Sequence, residues 1–170
     1  MIKAYLIGDR ITSSSESAFS MYEKSKWGEK KPGKIEYSGI EALHLVSENK
    51  MELFLGKRRI SEDDLLKRLK NKDKKIDVKL AAFSDLRKKG YIVKTALKFG
   101  AEFRVYDKGI RPGDEHARWI LYTVKESDKM NWHDFAAKNR VAHSTKKNLL
   151  IGLVDDEGDV TYYEISWVRV

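Results

Sequence analysis

Three side chains with complementary proton chemistry fall in one stretch of this 170-residue chain: Tyr106, His116 and Lys147. The first two stand ten residues apart, on either side of the loop DKGIRPGDE. Lys147 follows 31 residues after the histidine, in a Lys-Lys pair that precedes an apolar run. A phenol, an imidazole and an ammonium suffice for one reaction in particular, the attack of a ribose 2′-hydroxyl on its own 3′-phosphate. That reaction needs a base for the 2′-proton, an acid for the leaving 5′-oxygen and a cation for the phosphorane charge. An imidazolium donates readily near neutral pH, which suits His116 to the acid role, and Lys147 suits the electrostatic one. Tyr106 is a poor base at a phenol's ordinary pKa near 10 unless neighbouring cations lower it. Lys147 and the surrounding arginines and lysines are the candidates for doing so.

The bulk composition agrees with a polyanionic partner. Lys and Arg number 34 against 26 Asp and Glu, a formal net charge of +8 and a pI of about 9.4, which favours RNA or DNA. The absence of cysteine excludes disulfides, thiolate-bound metals and a thiol nucleophile, and it suits a reducing cytoplasm. The sequence contains no apolar run near the roughly 20 residues that span a bilayer, and the N-terminal apolar run is too short for a signal peptide. A soluble cytoplasmic protein is the expectation, with no membrane contact.

The elements that must position the trio follow from periodicity and punctuation. Ile2 to Ile11 reads as one strand, the Ser-rich Thr12 to Ser17 as a turn or helix start, and Lys30 to Lys34 as a loop. Ile40 to Asn49 has helical spacing, with His44 on or near its apolar face as a packed surface residue. Met51 to Leu55 is a short strand. Ser61 is a good N-cap for a helix that starts with acidic residues and carries Leu65, Leu66 and Leu69. The charge run Lys70 to Lys75 marks a soft domain boundary, so two domains are expected, 1–78 and 79–170. The second begins with a helix over Asp77 to Lys89, stopped by Gly90. Tyr91 to Lys98 is a strand interrupted by Phe99-Gly100 and resumed at Phe103, Val105 and Tyr106. Trp119 to Val124, Leu149 to Val154 and Val160 to Val170 are further strands, and Asn131 caps a helix over Trp132 to Ser144. This order predicts an α/β or α+β chain with a mixed central sheet in its second domain.

The words LKFGAEFRVYDKG, DEHARW, RVAHSTKKNLLIGLVDDEGDVTYY and SWVRV resemble the catalytic domain of the archaeal tRNA-splicing endonucleases. GIEALHLVSENKMEL resembles the small α/β N-terminal domain of the same family. The family's Tyr, His and Lys fall on Tyr106, His116 and Lys147. Its histidine is often followed by Ser, where this chain has Ala117. The resemblance implies a restriction-endonuclease-like C-terminal domain with a site that uses neither metal nor cofactor. The implied substrate is precursor tRNA whose exon–intron junctions form a bulge–helix–bulge. Cleavage would leave a 2′,3′-cyclic phosphate and a 5′-hydroxyl. Tyr106 would be general base, His116 general acid and Lys147 the stabiliser of the transition state. Arg140 matches the first of two residues that grip a flipped bulge base, and Trp167 or Arg169 the second. Asp155, Asp156, Glu157 and Asp159 resemble an acidic loop that inserts into a basic cleft of a neighbouring subunit, or form a plain turn. Short chains of the family assemble as homotetramers, with a heterotetramer containing a separate structural subunit as the alternative. The rivals are an RNA-binding structural subunit and a metal-dependent nuclease of the same fold. The latter would need clustered carboxylates on adjacent strands, whereas the acidic pairs here lie in turns and helix starts.

Overall fold

Four helices begin where a short polar side chain satisfies an otherwise unpaired amide of the first turn. Ser15 accepts from Ala18 N at the head of α1 (Glu16–Ser25), and Ser38 from Glu41 N at α2 (Gly39–Ser47). Ser61 accepts from Asp64 N at α3 (Glu62–Lys72), and Asn131 from Asp134 N at α5 (Trp132–Ser144). The remaining helix is α4 (Ile76–Lys88), followed by Gly90 at φ +91°. The computed structural model describes residues 1–96 and 100–170. They divide into two units, 1–76 and 77–170.

The first unit carries a six-stranded mixed sheet in the order β3-β4-β2-β1-β5-β6. Its strands are β1 (Ile2–Ile7), β2 (Arg10–Ser13), β3 (Glu29–Lys31), β4 (Lys34–Tyr37), β5 (Met51–Leu55) and β6 (Arg58–Ile60). Only the β1–β5 pair is parallel. The single strand expected over Ile2 to Ile11 is a hairpin instead. Gly8 at φ +61° and Asp9 form a two-residue turn, pairing Ile7 with Arg10, and this turn chemistry outweighs the apolar run. The expected loop Lys30 to Lys34 is likewise a hairpin tip, with Pro32-Gly33 between paired Lys31 and Lys34. β6 was not anticipated. His44 is not at the surface: it is 3% exposed and its ring lies 5.2 Å from that of Trp27, tilted by 10°.

The second unit is built on a five-stranded mixed sheet in the order β11-β10-β9-β8-β7. These strands are β7 (Ile92–Thr95), β8 (Phe103–Tyr106), β9 (Trp119–Lys125), β10 (Asn148–Val154) and β11 (Val160–Ile165). β9 and β10 are parallel, and the other pairs are antiparallel. The two helices cover opposite faces. Phe83 of α4 meets Phe103, and Tyr162 donates to Ala82 O and to Asp85 of α4. On the other face Phe135 and Ala142 of α5 pack against Ile120, Leu149 and Ile151. The mixed α+β organisation is the one the order of elements predicts. Of the strand expected over Tyr91 to Lys98, residues 97 and 98 lie outside the described residues, as does Phe99. The last strand ends at Ile165 rather than Val170: its pairing runs only as far as Leu149, one residue from the start of β10.

Candidate active site

Three separate segments converge on one cavity of about 770 Å³ in the second unit, and Tyr106, His116 and Lys147 all line it. Tyr106 ends β8. Arg104, two residues earlier, shares its face of the strand, because side chains alternate with period two. His116 lies at the end of the loop between β8 and β9. That loop turns through Gly109 at φ +84° and Gly113 at φ +101°, with Asp114 N donating to Arg111 O. Arg118 N then donates to Val105 O, anchoring the end of the loop beside β8. Ala117, where a serine is usual in the family the chain resembles, is buried, while His116 itself is exposed.

Lys147 is placed by the way α5 ends. Lys146 adopts a left-handed conformation at φ +56° and donates from its backbone to His143 O, while Lys147 N donates to Ala142 O. These two bonds turn the chain sharply off the helix and straight into β10. The Lys147 ammonium donates to Thr145 O at 2.9 Å. Burial lowers its pKa from the ordinary lysine value, and the neighbouring Arg104 charge lowers it further.

The cavity wall is braced by ion pairs. Arg118 reaches Asp107 at 3.2 Å and Glu164 at 3.4 Å, with its guanidinium over the Trp119 ring. Glu164 also accepts from Trp119 Nε1 at 3.0 Å and from the Asn148 amide. Asp107, Arg118 and Asn148 stand within two residues of Tyr106, His116 and Lys147 respectively, so Glu164 on β11 and its partners tie together the backbone that carries the trio. Among the described residues, no group of three or more His, Cys, Asp or Glu is placed to hold a metal ion.

Tyr106 is 4% exposed. Burial raises its pKa above the ordinary phenol value, and the Arg104 charge opposes this only in part. The net shift is therefore opposite to the lowering expected from nearby cations. Burial of the neutral phenol helps the fold below pH 10, and that help is lost as pH rises through the raised value. In a chain with 13C-labelled tyrosine, the Tyr106 Cζ resonance should titrate with a midpoint above pH 10. A midpoint under 10 would mean that the cations outweigh burial.

The other expected site residues are not among those that line this cavity. Arg140 is exposed on α5. Trp167 is 55% exposed, with its ring 4.2 Å from that of His143, one helical turn after Arg140. Arg169 is exposed in the segment beyond β11. Asp155 to Asp159 close the β10–β11 hairpin, and the Asp155 carboxylate accepts from Glu157 N and Asp159 N, both at 2.9 Å. The Asp155 carboxylate is thus engaged within the turn, while Asp156, Glu157 and Asp159 are exposed. Residues not singled out from sequence are Arg104, Arg118, Lys146 and Glu164. The signal for Arg104 was its i−2 spacing from Tyr106 on a strand. Nothing local pointed to Glu164.

The fold and site define a two-domain α+β protein with a polar, cation-rich cavity suited to a phosphate ester. Comparison with known proteins narrows the class. Residues 2–66 match the family model of the tRNA intron endonuclease N-terminal domain, and residues 76–162 that of its catalytic C-terminal domain. The chain is 39% identical over 170 residues to a tRNA-splicing endonuclease of Thermococcus gammatolerans, covering 99% of each chain. It is 41% identical over 136 residues to one of Nanoarchaeum equitans, covering 76% of this chain and 87% of the relative. A tRNA-splicing endonuclease of Methanothermobacter thermautotrophicus is 33% identical over 165 residues, with 96% of each chain covered. The chain belongs to the tRNA intron endonuclease family.

Proposed function

We propose that this protein is a tRNA-splicing endonuclease that cuts precursor tRNA at bulge–helix–bulge exon–intron junctions by 2′-hydroxyl transesterification. The observation that carries this reading is the convergence of a phenol, an imidazole and an ammonium on one cavity from three chain segments. The 2′-oxygen bonds to phosphorus as the bond to the 5′-oxygen breaks. Tyr106 takes the 2′-proton, His116 gives a proton to the leaving oxygen, and Lys147 offsets the phosphorane charge. The raised Tyr106 pKa makes its phenolate scarce, and makes each phenolate a stronger base. The step draws on that small fraction and requires no metal or cofactor.

Arg140 and Trp167, with Arg169 as the alternative, grip a base flipped from the bulge, which is cheap to extrude because it lacks a pairing partner. Release of an intron takes two cuts, and the chain holds one trio, so two copies must act at fixed spacing. A homotetramer meets this need. β11 is an edge strand with Tyr163 54% exposed, and beside it Asp156, Glu157 and Asp159 offer an acidic tip for a basic cleft on another copy. We assign the protein to the cytoplasm; no helix among the described residues is long and apolar enough to cross a membrane.

The test uses the purified chain alone with a bulge–helix–bulge RNA in excess EDTA. Two cuts leaving 2′,3′-cyclic phosphate and 5′-hydroxyl ends are the expected result. Cleavage that appears only with added magnesium, or ends of another chemistry, would overturn the mechanism. Cleavage that requires a second subunit would overturn the self-sufficient assembly.

A further inference from the structure

Two arginines line the active-site cavity, and their surroundings differ. Arg118 is neutralised by Asp107 and Glu164 and rests on Trp119. Its charge is engaged by partners within the chain. Arg104 has no ion pair or side-chain hydrogen bond among the described residues, and its Nε is buried without an acceptor. The residue as a whole is half-buried and lines the cavity, with its Nε shielded from solvent. It also sits among like charges. Lys94 stands directly opposite it on β7 and is 6% exposed, and Lys147 is close enough to feel its field. An unsatisfied buried donor destabilises a fold. A guanidinium with an unsatisfied Nε on the cavity wall, beside Tyr106, suits an anionic ligand.

We infer that Arg104 is a further catalytic residue, whose guanidinium holds the non-bridging oxygens of the scissile phosphate together with Lys147. This rests on the cleavage reading above. The planar fork of a guanidinium matches two phosphate oxygens at once, whereas an ammonium supplies a point charge. Arg104 therefore fixes the orientation of the phosphate in line with the 2′-oxygen, and Lys147 supplies charge as the phosphorane forms. Its position at i−2 on the same strand face as Tyr106 holds base and phosphate in one frame. Arg118, already paired, serves the wall rather than the substrate.

The test is Arg104→Met, which keeps an apolar stem, beside Arg104→Lys. Cleavage of bulge–helix–bulge RNA by the methionine variant should fall about 10²-fold in kcat, with a much smaller change in KM. The lysine variant should recover only part of this. The thermal midpoint of Arg104→Met should be no lower than that of wild type, because an unsatisfied donor and a like charge are removed. In wild type, sulfur in place of one non-bridging oxygen should slow cleavage in one diastereomer, and that penalty should vanish in Arg104→Met. A methionine variant within threefold of wild type, or an unchanged thio penalty, would overturn the inference. A second measurement does not depend on cleavage: the Arg104 Nε–H resonance titrated with inorganic phosphate. A saturable shift is expected, and no shift would overturn the assignment. Absence of any cleavage by wild type alongside such a shift would instead count against the cleavage reading.

Discussion

His116→Ala should cut bulge–helix–bulge RNA about 10³-fold more slowly than wild type, while folding as well. General acid catalysis contributes on the order of 10²–10⁴ in rate, and the leaving 5′-oxygen is the poorest part of this reaction. His116 is exposed, at the end of a loop shaped by Gly109 and Gly113, so its removal leaves the core untouched. Circular dichroism and the thermal midpoint should match wild type. The assignment as acid, rather than as a binding group, is checked with a substrate whose 5′-bridging oxygen is sulfur. A thiolate leaves without a proton, so His116→Ala should cut that RNA at close to the wild-type rate. An equal defect on both substrates would remove the acid role and leave His116 a positioning residue.

Glu41→Ala should lower the stability of the first unit by roughly 2–4 kcal/mol, the range for breaking a buried hydrogen-bond network. Glu41 is 5% exposed, yet it is a carboxylate with many partners. It accepts from Ser38 N at 3.1 Å and from Ser38 Oγ at 2.9 Å, completing a capping box at the head of α2. It also accepts from Gly28 N at 3.0 Å, which joins the turn after α1 to α2. That turn has no slack. Gly28 stands at φ +74°, and a Cβ there would lie 2.5 Å from Ile35 Cγ2 and 2.8 Å from Glu36 O. With alanine at position 41, the Gly28 amide loses its acceptor in a place where the backbone cannot turn to find another. Urea unfolding followed through Trp27 fluorescence measures the loss. Glu41→Gln should fall between the two, because the amide keeps one acceptor and turns the other into a donor. A change under 1 kcal/mol for Glu41→Ala would mean that water replaces the carboxylate at low cost.

What the sequence alone determined is what local chemistry controls. Ser61 and Asn131 cap their helices where expected, because an N-cap needs only a side chain and an amide three residues on. The bounds of α5 and the apolar run of β10 were legible for the same kind of reason, and so was the mixed α+β class. The residue types of the candidate trio and their spacing were also legible, and with them the chemistry they are suited to. Tertiary structure decided the rest. The hairpin at Gly8-Asp9 took over an apolar run that looked continuous, and the burial of His44 depended on Trp27, 17 residues away in sequence. Two arginines of like composition became different groups because Glu164, 46 residues beyond Arg118, arrives on β11 to neutralise one and leaves Arg104 unpaired. The direction of the Tyr106 shift followed the same logic. The cations around it can be counted in the sequence, but the desolvation that outweighs them exists only once β8 is enclosed in the folded sheet. Burial and charge pairing depend on which distant segments meet, and periodicity along the chain carries no record of that.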